Sequence, residues 1–193
     1  MDSKKGFKVY YLLLSEGTTE FNLFAYLTKV RFRALFDGSS IQFRNTVEII
    51  KNGNQIVSQG KLNGVSDIAH FKTKHILIKA KYAGQRLFYF FDKDMDDSSV
   101  IEAFITKEGD LVQFIEYNSE HLLLRLAGKK PKNPSNFENL KKFRDYCKQE
   151  FVKQFGKKAH KFKDADFELV FNDCTDDEVR SNFKILFSAL EQE

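Results

Sequence analysis

Carboxylates gather at three points in this chain, each directly after an apolar run. The first set is Glu16 and Glu20, in Ser15-Glu16-Gly17-Thr18-Thr19-Glu20, after Val9-Tyr10-Tyr11-Leu12-Leu13-Leu14. The second is Asp92, Asp94, Asp96 and Asp97, after Leu87-Phe88-Tyr89-Phe90-Phe91. The third is Glu120, in Asn118-Ser119-Glu120, after residues 111–117. Carboxylates held close together repel one another unless a cation lies among them. Lys93 alone cannot neutralise the four acids around it. A hard divalent ion, held by one or two carboxylates together with water and substrate phosphate, can. Each set also has a plainer reading. The second is a solvated acidic turn, with Asp96 and Asp97 capping the helix that follows. Glu20 and Glu120 are acids in a first helical turn, where the helix dipole favours them.

The elements that must position these residues can be read from periodicity. Residues 9–14 and 87–91 are apolar without alternation, as expected of central strands buried on both faces. Gly17 permits a tight turn, and Thr18 or Thr19 can cap a helix that runs through Phe21, Phe24, Ala25, Thr28 and Phe32 at helical spacing. Asn52-Gly53, between residues 47–50 and 55–57, predicts a hairpin, either an inserted ribbon or a strand pair at a sheet edge. Ser66 is expected to cap a helix through Ile68, Phe71, His75, Ile78 and Tyr82, ended by Gly84. On that stripe His75 reads as a packed core histidine rather than a ligand. A short helix over 100–106 and a strand over 111–117 follow. The pattern predicts an open, mainly parallel α/β sheet flanked by helices. In such sheets functional sites form outside the carboxyl ends of the strands. If the first strand and residues 87–91 are parallel neighbours, Glu16, Glu20, Asp92, Asp94 and Asp96 converge, with Glu120 added from a third strand end.

The 193 residues are expected to form one domain with a core rich in its 21 Phe. A core over 7–127 is followed by a basic, mostly helical portion over 128–193. Net charge is +4, but residues 129–163 hold twelve Lys or Arg against three acids, so the rest of the chain is net −5. A basic surface beside an acidic site suits a polyanion. Lys129, Lys130, Lys142, Lys153, Lys157 and Lys158 are the candidates for nucleic-acid backbone contact, though such lysines also make an ordinary solvated face. Residues 137–155 read as an amphipathic helix, residues 167–171 as a last strand, and a helix capped by Thr175 or Asp176 closes the chain. Cys147 and Cys174 form no CxxC and no zinc motif, which fits a reducing, cytoplasmic setting. Residues 9–14 are too short for a signal core or a membrane span, so no membrane partner is expected.

Leu14-Ser15-Glu16-Gly17-Thr18-Thr19-Glu20 after one strand, paired with Phe91-Asp92-Lys93-Asp94-Met95-Asp96 after a later one, resembles the TOPRIM domain. The Gly-x-x-Glu form, with its second acid, is most similar to the OLD-family and RloB-like nucleases. Asn118-Ser119-Glu120 before three leucines resembles their downstream acidic motif more loosely. One departure is that Asp97-Ser98-Ser99 stands where many TOPRIM domains have Gly. The resemblance implies a TOPRIM-like fold and a metal-dependent nuclease. Glu16, Glu20, Asp92 and Asp94 would be catalytic, and these four with Asp96 and Glu120 would bind Mg²⁺ or Mn²⁺. It also implies a nucleic-acid substrate, a role in phage defence and a separate defence-system protein as a further partner. The 193 residues show no Gly-x-x-x-x-Gly-Lys-Ser/Thr ATPase loop, no zinc module and no room for a topoisomerase's tyrosine domain, which leaves a stand-alone phosphodiesterase as the expectation. Two alternatives stay open: a non-catalytic TOPRIM-like binding module, and a phosphohydrolase of small nucleotides. Oligomeric state is not specified by any of these features.

Overall fold

In chain order the elements are β1 (Val9–Ser15), α1 (Thr18–Tyr26), α2 (Arg33–Gly38), β2 (Ile41–Arg44), β3 (Ile49–Lys51), β4 (Asn54–Ser58), β5 (Lys61–Leu62), α3 (Ile68–Lys81), β6 (Arg86–Lys93), α4 (Ser98–Lys107), β7 (Leu111–Glu116), α5 (Ser119–Leu126), α6 (Leu140–Phe155), α7 (Asp164–Phe171), α8 (Asp176–Asn182) and α9 (Lys184–Glu191). They are taken from a computed structural model, which describes residues 9–62, 65, 67–93 and 97–191. The strands form one mixed sheet in which the parallel pairs dominate. β1 is parallel to β6, with Tyr11 opposite Arg86 and Ser15 opposite Phe90. β6 is in turn parallel to β7, with Asp92 opposite Ile115. On its other side β1 pairs with β2 along Val9–Leu12 and with β5 at Ser15.

Strand periodicity accounts for the unbroken apolar runs. Tyr11, Leu13, Phe88 and Phe90 point to one face, where they join Leu23, Phe24, Leu123, Phe151, Phe167, Phe171, Phe183 and Leu186. Leu12, Leu14, Leu87, Tyr89 and Phe91 point to the other, against Phe71, Ile78, Ile101 and Ile105. Helices cover both faces, so neither needs polar residues. Each fully buried Phe contributes about 1.5–3 kcal/mol relative to exposure. The helices after residue 139 belong to the first of these clusters. They are also tied to the first helix: Asn22 Nδ2 donates to the carbonyls of His160 at 3.4 Å and Phe162 at 3.3 Å. From the π-helical turn Leu27–Arg31 that follows α1, the Arg31 guanidinium donates to the carbonyls of Phe171 at 2.9 Å and Cys174 at 2.7 Å.

The β3–β4–β5 segment is an antiparallel ribbon at the sheet edge. Asn52-Gly53 turns β3 into β4 with both residues at positive φ, and Gln59-Gly60 turns β4 into β5 in the same way. Gly60 has φ +72, and a Cβ there would stand 2.5 Å from the Leu13 carbonyl oxygen, so only glycine lets this turn close against β1.

Several local features differ from the sequence expectation. Residues 167–171 are helical, not a strand: Phe167, Val170 and Phe171 repeat at i, i+3 and i+4 and are all buried, and the Asp166 carboxylate accepts the Lys163 N–H at 2.9 Å at the helix start. The closing helix is two helices, α8 and α9, broken at Phe183 (φ −119, ψ 41). Asn139, not a residue near Phe137, starts α6, its side chain accepting the Lys142 N–H at 2.9 Å. Asp67 caps α3 by accepting the His70 N–H at 2.8 Å, whereas Ser66 lies outside the described residues. His75 is a core histidine, as its place on the apolar stripe implies: it is 3% exposed and hydrogen-bonded through Nδ1 to the Tyr89 hydroxyl at 2.8 Å. Cys147 and Cys174 are buried and unbridged. Among the described residues no helix is long and apolar enough to cross a membrane.

Candidate acidic site at the strand ends

β1, β6 and β7 end side by side, and their carboxyl ends deliver Glu16, Asp92 and, one turn further on, Ser119 and Glu120. Ser15 is fixed from both sides: its N–H donates to the Gly60 carbonyl at 2.7 Å, and its hydroxyl donates to the Gly17 carbonyl at 3.1 Å. The Glu16 N–H donates to the Phe90 carbonyl at 3.4 Å. Gly17, rather than Thr18 or Thr19, is the cap of α1. Its N–H donates to Glu20 Oε2 at 2.8 Å, so Glu20 does cap its own helix. That role takes Oε2, and the residue also lines the cavity, so capping and a place in the site are compatible.

Ser119 joins the three strand ends. It is fully buried, and its Oγ lies 2.8 Å from Glu20 Oε1 and 2.8 Å from Asp92 Oδ1. A serine hydroxyl carries one proton and donates to one oxygen. The second short contact becomes a hydrogen bond only if the other carboxyl is protonated and donates to Oγ. Asp92 is the carboxyl under pressure to hold that proton. Burial pushes its pKa well above the ordinary carboxylate range, the negative charges of Glu20, Glu16 and Glu120 push the same way, and the Ser119 hydrogen bond opposes them. Glu120 is also raised, by burial first and by Glu20 last, against a hydrogen bond from its own backbone N–H and the charge of Lys148.

Tyr117 makes the corner that brings Ser119 inward. It is a non-glycine residue at φ +65, directly after β7, a conformation disfavoured by about 1–2 kcal/mol. Its ring packs on His121 and Phe143, at centroid distances of 5.1 Å in both cases. Asn118 then caps α5, accepting the His121 N–H at 2.9 Å.

Glu16, Glu20, Asp92 and Glu120 line one cavity of about 800 Å³. Lys148, Phe151 and Val152 from α6 also line it, as do Lys158 and His160. Asp94 and Asp96 lie outside the described residues. Asp97 belongs elsewhere, its carboxylate accepting the Ile68 N–H at the start of α3 at 3.2 Å. Of the six candidate backbone-binding lysines, only Lys158 reaches this cavity. Lys142 is paired with Glu138, Lys153 with Glu150 at 3.6 Å, and Lys157 with Asp166 at 2.5 Å. Lys129 and Lys130 line a different cavity, on the far side of α5, with His121. Lys93 lines neither of these two.

Ser119 bridges two of the cavity's acids and Lys148 lines the cavity, yet motif and charge counting do not single them out. The signal for Ser119 is its place at the first position of a helix that follows a parallel strand. For Lys148 it is the spacing, one residue past buried Cys147 and three before buried Phe151, which puts it at the edge of the apolar stripe. Among the described residues no group of three or more His, Cys, Asp or Glu side chains is already arranged to hold a metal ion. Comparison with protein-family models, with curated proteins and with solved structures found no match.

Proposed function

We propose that this chain is a divalent-metal-dependent phosphodiesterase acting on nucleic acid, with the TOPRIM-like acidic site that its motifs resemble. The observation that carries the reading is one cavity lined both by carboxylates that follow three strands and by the cations Lys148 and Lys158, with His160 beside them. A scissile phosphodiester lodged between them has anionic oxygens for the cations to hold and a phosphorus for the acidic wall to act on.

The residues fit a hard cation. Their donors are all oxygen, which suits Mg²⁺ or Mn²⁺ rather than a soft metal. The Ser119 bridge is one proton short of satisfying both carboxylates, and Asp92 is raised by burial first and then by the charge of Glu20 and Glu16, so a cation beside it would be favoured. Asp92, Glu20, Glu16 and Glu120 are the described residues that would hold it. Bound there, the ion would supply Lewis-acid stabilisation of phosphoryl oxygens and a water of lowered pKa. The protein's own contribution is positioning. The Gly17 N–H and Ser119 fix the two oxygens of Glu20, Ser119 aligns Asp92, and Lys148 and Lys158 offset charge developing on the phosphate. The volume of the cavity also suits a free nucleotide, which favours small-nucleotide hydrolysis as the second reading.

The test is a panel of plasmid, linear duplex, single-stranded DNA, structured RNA and free nucleotides, each with Mg²⁺ and with Mn²⁺. Asp92→Ala and Glu16→Ala are expected to abolish cleavage without unfolding the chain, and chelator to do the same. Full activity in both variants, or in excess chelator, overturns the reading. Turnover confined to free nucleotides selects the second.

A further inference from the structure

The loop after α5 builds a second cavity, of about 610 Å³, that the acidic site does not use. Arg125 from the last turn of α5 lines it with Lys129, Lys130 and Lys132. Against these four cations stands one carboxylate, Glu116, whose oxygen lies 3.9 Å from Arg125 Nη1. Among the described residues, Lys129, Lys130 and Lys132 make no ion pair, unlike Lys142, Lys153 and Lys157.

The loop is held in place rather than draped over the surface. Gly128, at φ +68, ends α5, and the Lys129 N–H donates back to the Leu124 carbonyl at 2.9 Å. The Lys132 N–H donates to the Tyr146 hydroxyl of α6 at 3.2 Å, and the Lys132 ammonium sits 5.7 Å from that ring's centroid. Asn133 Oδ1 accepts from Ser135 N and Oγ at 2.9 and 2.8 Å. A fixed backbone therefore presents a concave, cationic surface on the same short helix whose first turn carries Ser119 and Glu120.

Resting on the phosphodiesterase reading, we propose that this cavity is a second phosphate-binding station. It holds the nucleic-acid backbone flanking the phosphodiester that enters the acidic site. Charge complementarity selects the occupant: four cations around one concavity match successive backbone phosphates. The acidic cavity takes Glu120 from α5 and the basic one takes His121 and Arg125 from the same helix, so a strand gripped at both is aligned across the cleavage centre. Length dependence then belongs to the basic station, and bond breaking to the acidic one.

The experiment uses the full chain and two probes. One is a short fluorescein-labelled single-stranded oligonucleotide, whose anisotropy is titrated over a range of KCl in chelator. The other is bis(p-nitrophenyl) phosphate, turned over with Mn²⁺. Arg125→Glu combined with Lys132→Glu is expected to weaken oligonucleotide binding roughly tenfold or more and to flatten the slope of log affinity against log salt by about 1.4, the share of two single-strand phosphate contacts. Hydrolysis of the small diester is expected to stay at the wild-type rate. Wild-type affinity and slope in that variant overturn the station, as does failure of the unmodified protein to bind the oligonucleotide. Loss of small-diester turnover as well assigns these cations to the acidic cavity and also overturns it. If the unmodified protein hydrolyses neither substrate yet loses oligonucleotide binding on charge reversal, the station stands and the phosphodiesterase reading falls.

Discussion

Asp92→Asn tests the charge balance of the acidic cavity while leaving its shape almost untouched. In the native site one hydroxyl, Ser119 Oγ–H, faces two carboxylate oxygens at 2.8 Å each. An amide at position 92 donates to Oγ, freeing the hydroxyl proton for Glu20, and both contacts become hydrogen bonds. One recovered bond is worth about 0.5–1.5 kcal/mol. Removing a negative charge from beside Glu20 and Glu16 adds on the order of 1 kcal/mol. At pH values where native Asp92 is ionised, the metal-free variant is therefore more stable than the native protein by about 1.5–2.5 kcal/mol, or about 3–10 °C in Tm for a chain of this size. The pH dependence has a defined sign. The Asp92 pKa is raised by folding, so its favourable contribution is complete below the ordinary carboxylate range and is lost as pH rises toward the folded value. The advantage of the variant thus grows with pH. Thermal unfolding followed by circular dichroism, in chelator across a pH series, reads this directly. Mg²⁺ then raises the native Tm and leaves the variant's unchanged. A variant less stable than the native protein at alkaline pH in chelator, or a difference that ignores pH, refutes the account of the cluster as short of positive charge.

Other outcomes follow from single features. Lys148→Ala lowers kcat for nucleic-acid cleavage roughly tenfold or more, and because Lys148 holds the Glu120 pKa down, the acidic limb of the pH–rate profile moves to higher pH. An unmoved limb rejects the link between Lys148 and Glu120. Gly60→Ala places a methyl 2.5 Å from the Leu13 carbonyl at positive φ and costs about 2–4 kcal/mol in urea unfolding. The Cys147 thiol is pushed up to about 12, chiefly by burial and then by the charge of Glu120, so iodoacetamide labels it only after denaturation. Rapid labelling of the native protein at neutral pH contradicts that environment.

The strands that carry the acids are legible because burial on both faces writes an unbroken apolar run, and the Asn52-Gly53 turn is legible because its φ values demand those residues. Glu16, Glu20, Asp92 and Glu120 are legible as strand-end acids. Their meeting is not, since it depends on parallel register: with Ser15 opposite Phe90 and Asp92 opposite Ile115, Glu16 follows β1 within about one residue of the level of Asp92. Ser119 is silent for the same reason, its two partners being 99 and 27 residues away in sequence. Residues 167–171 mislead because a five-residue apolar run fits either period, and the capping by Asp166 decides for helix. What a charge count does not see in the lysines is that Lys142, Lys153 and Lys157 each have an acid within ion-pair distance, whereas Lys158 lines the acidic cavity. Asp97 looks like part of the acidic loop, and its carboxylate instead accepts at the start of a helix 29 residues earlier.

The ties between the first helix and the far end of the chain set an order of assembly. Asn22 to Phe162 and Arg31 to Phe171 each join groups 140 residues apart. Contacts of that span form late, after the loops between them have closed. During synthesis the amino-terminal strands emerge first, and the acidic residues of β1 and β6 are made long before α6 and the His160 segment exist to wall their cavity. The nascent chain thus carries carboxylates without an enclosed site. The cavity closes only when the basic helices dock on the sheet, so the enclosed site arrives with completed folding.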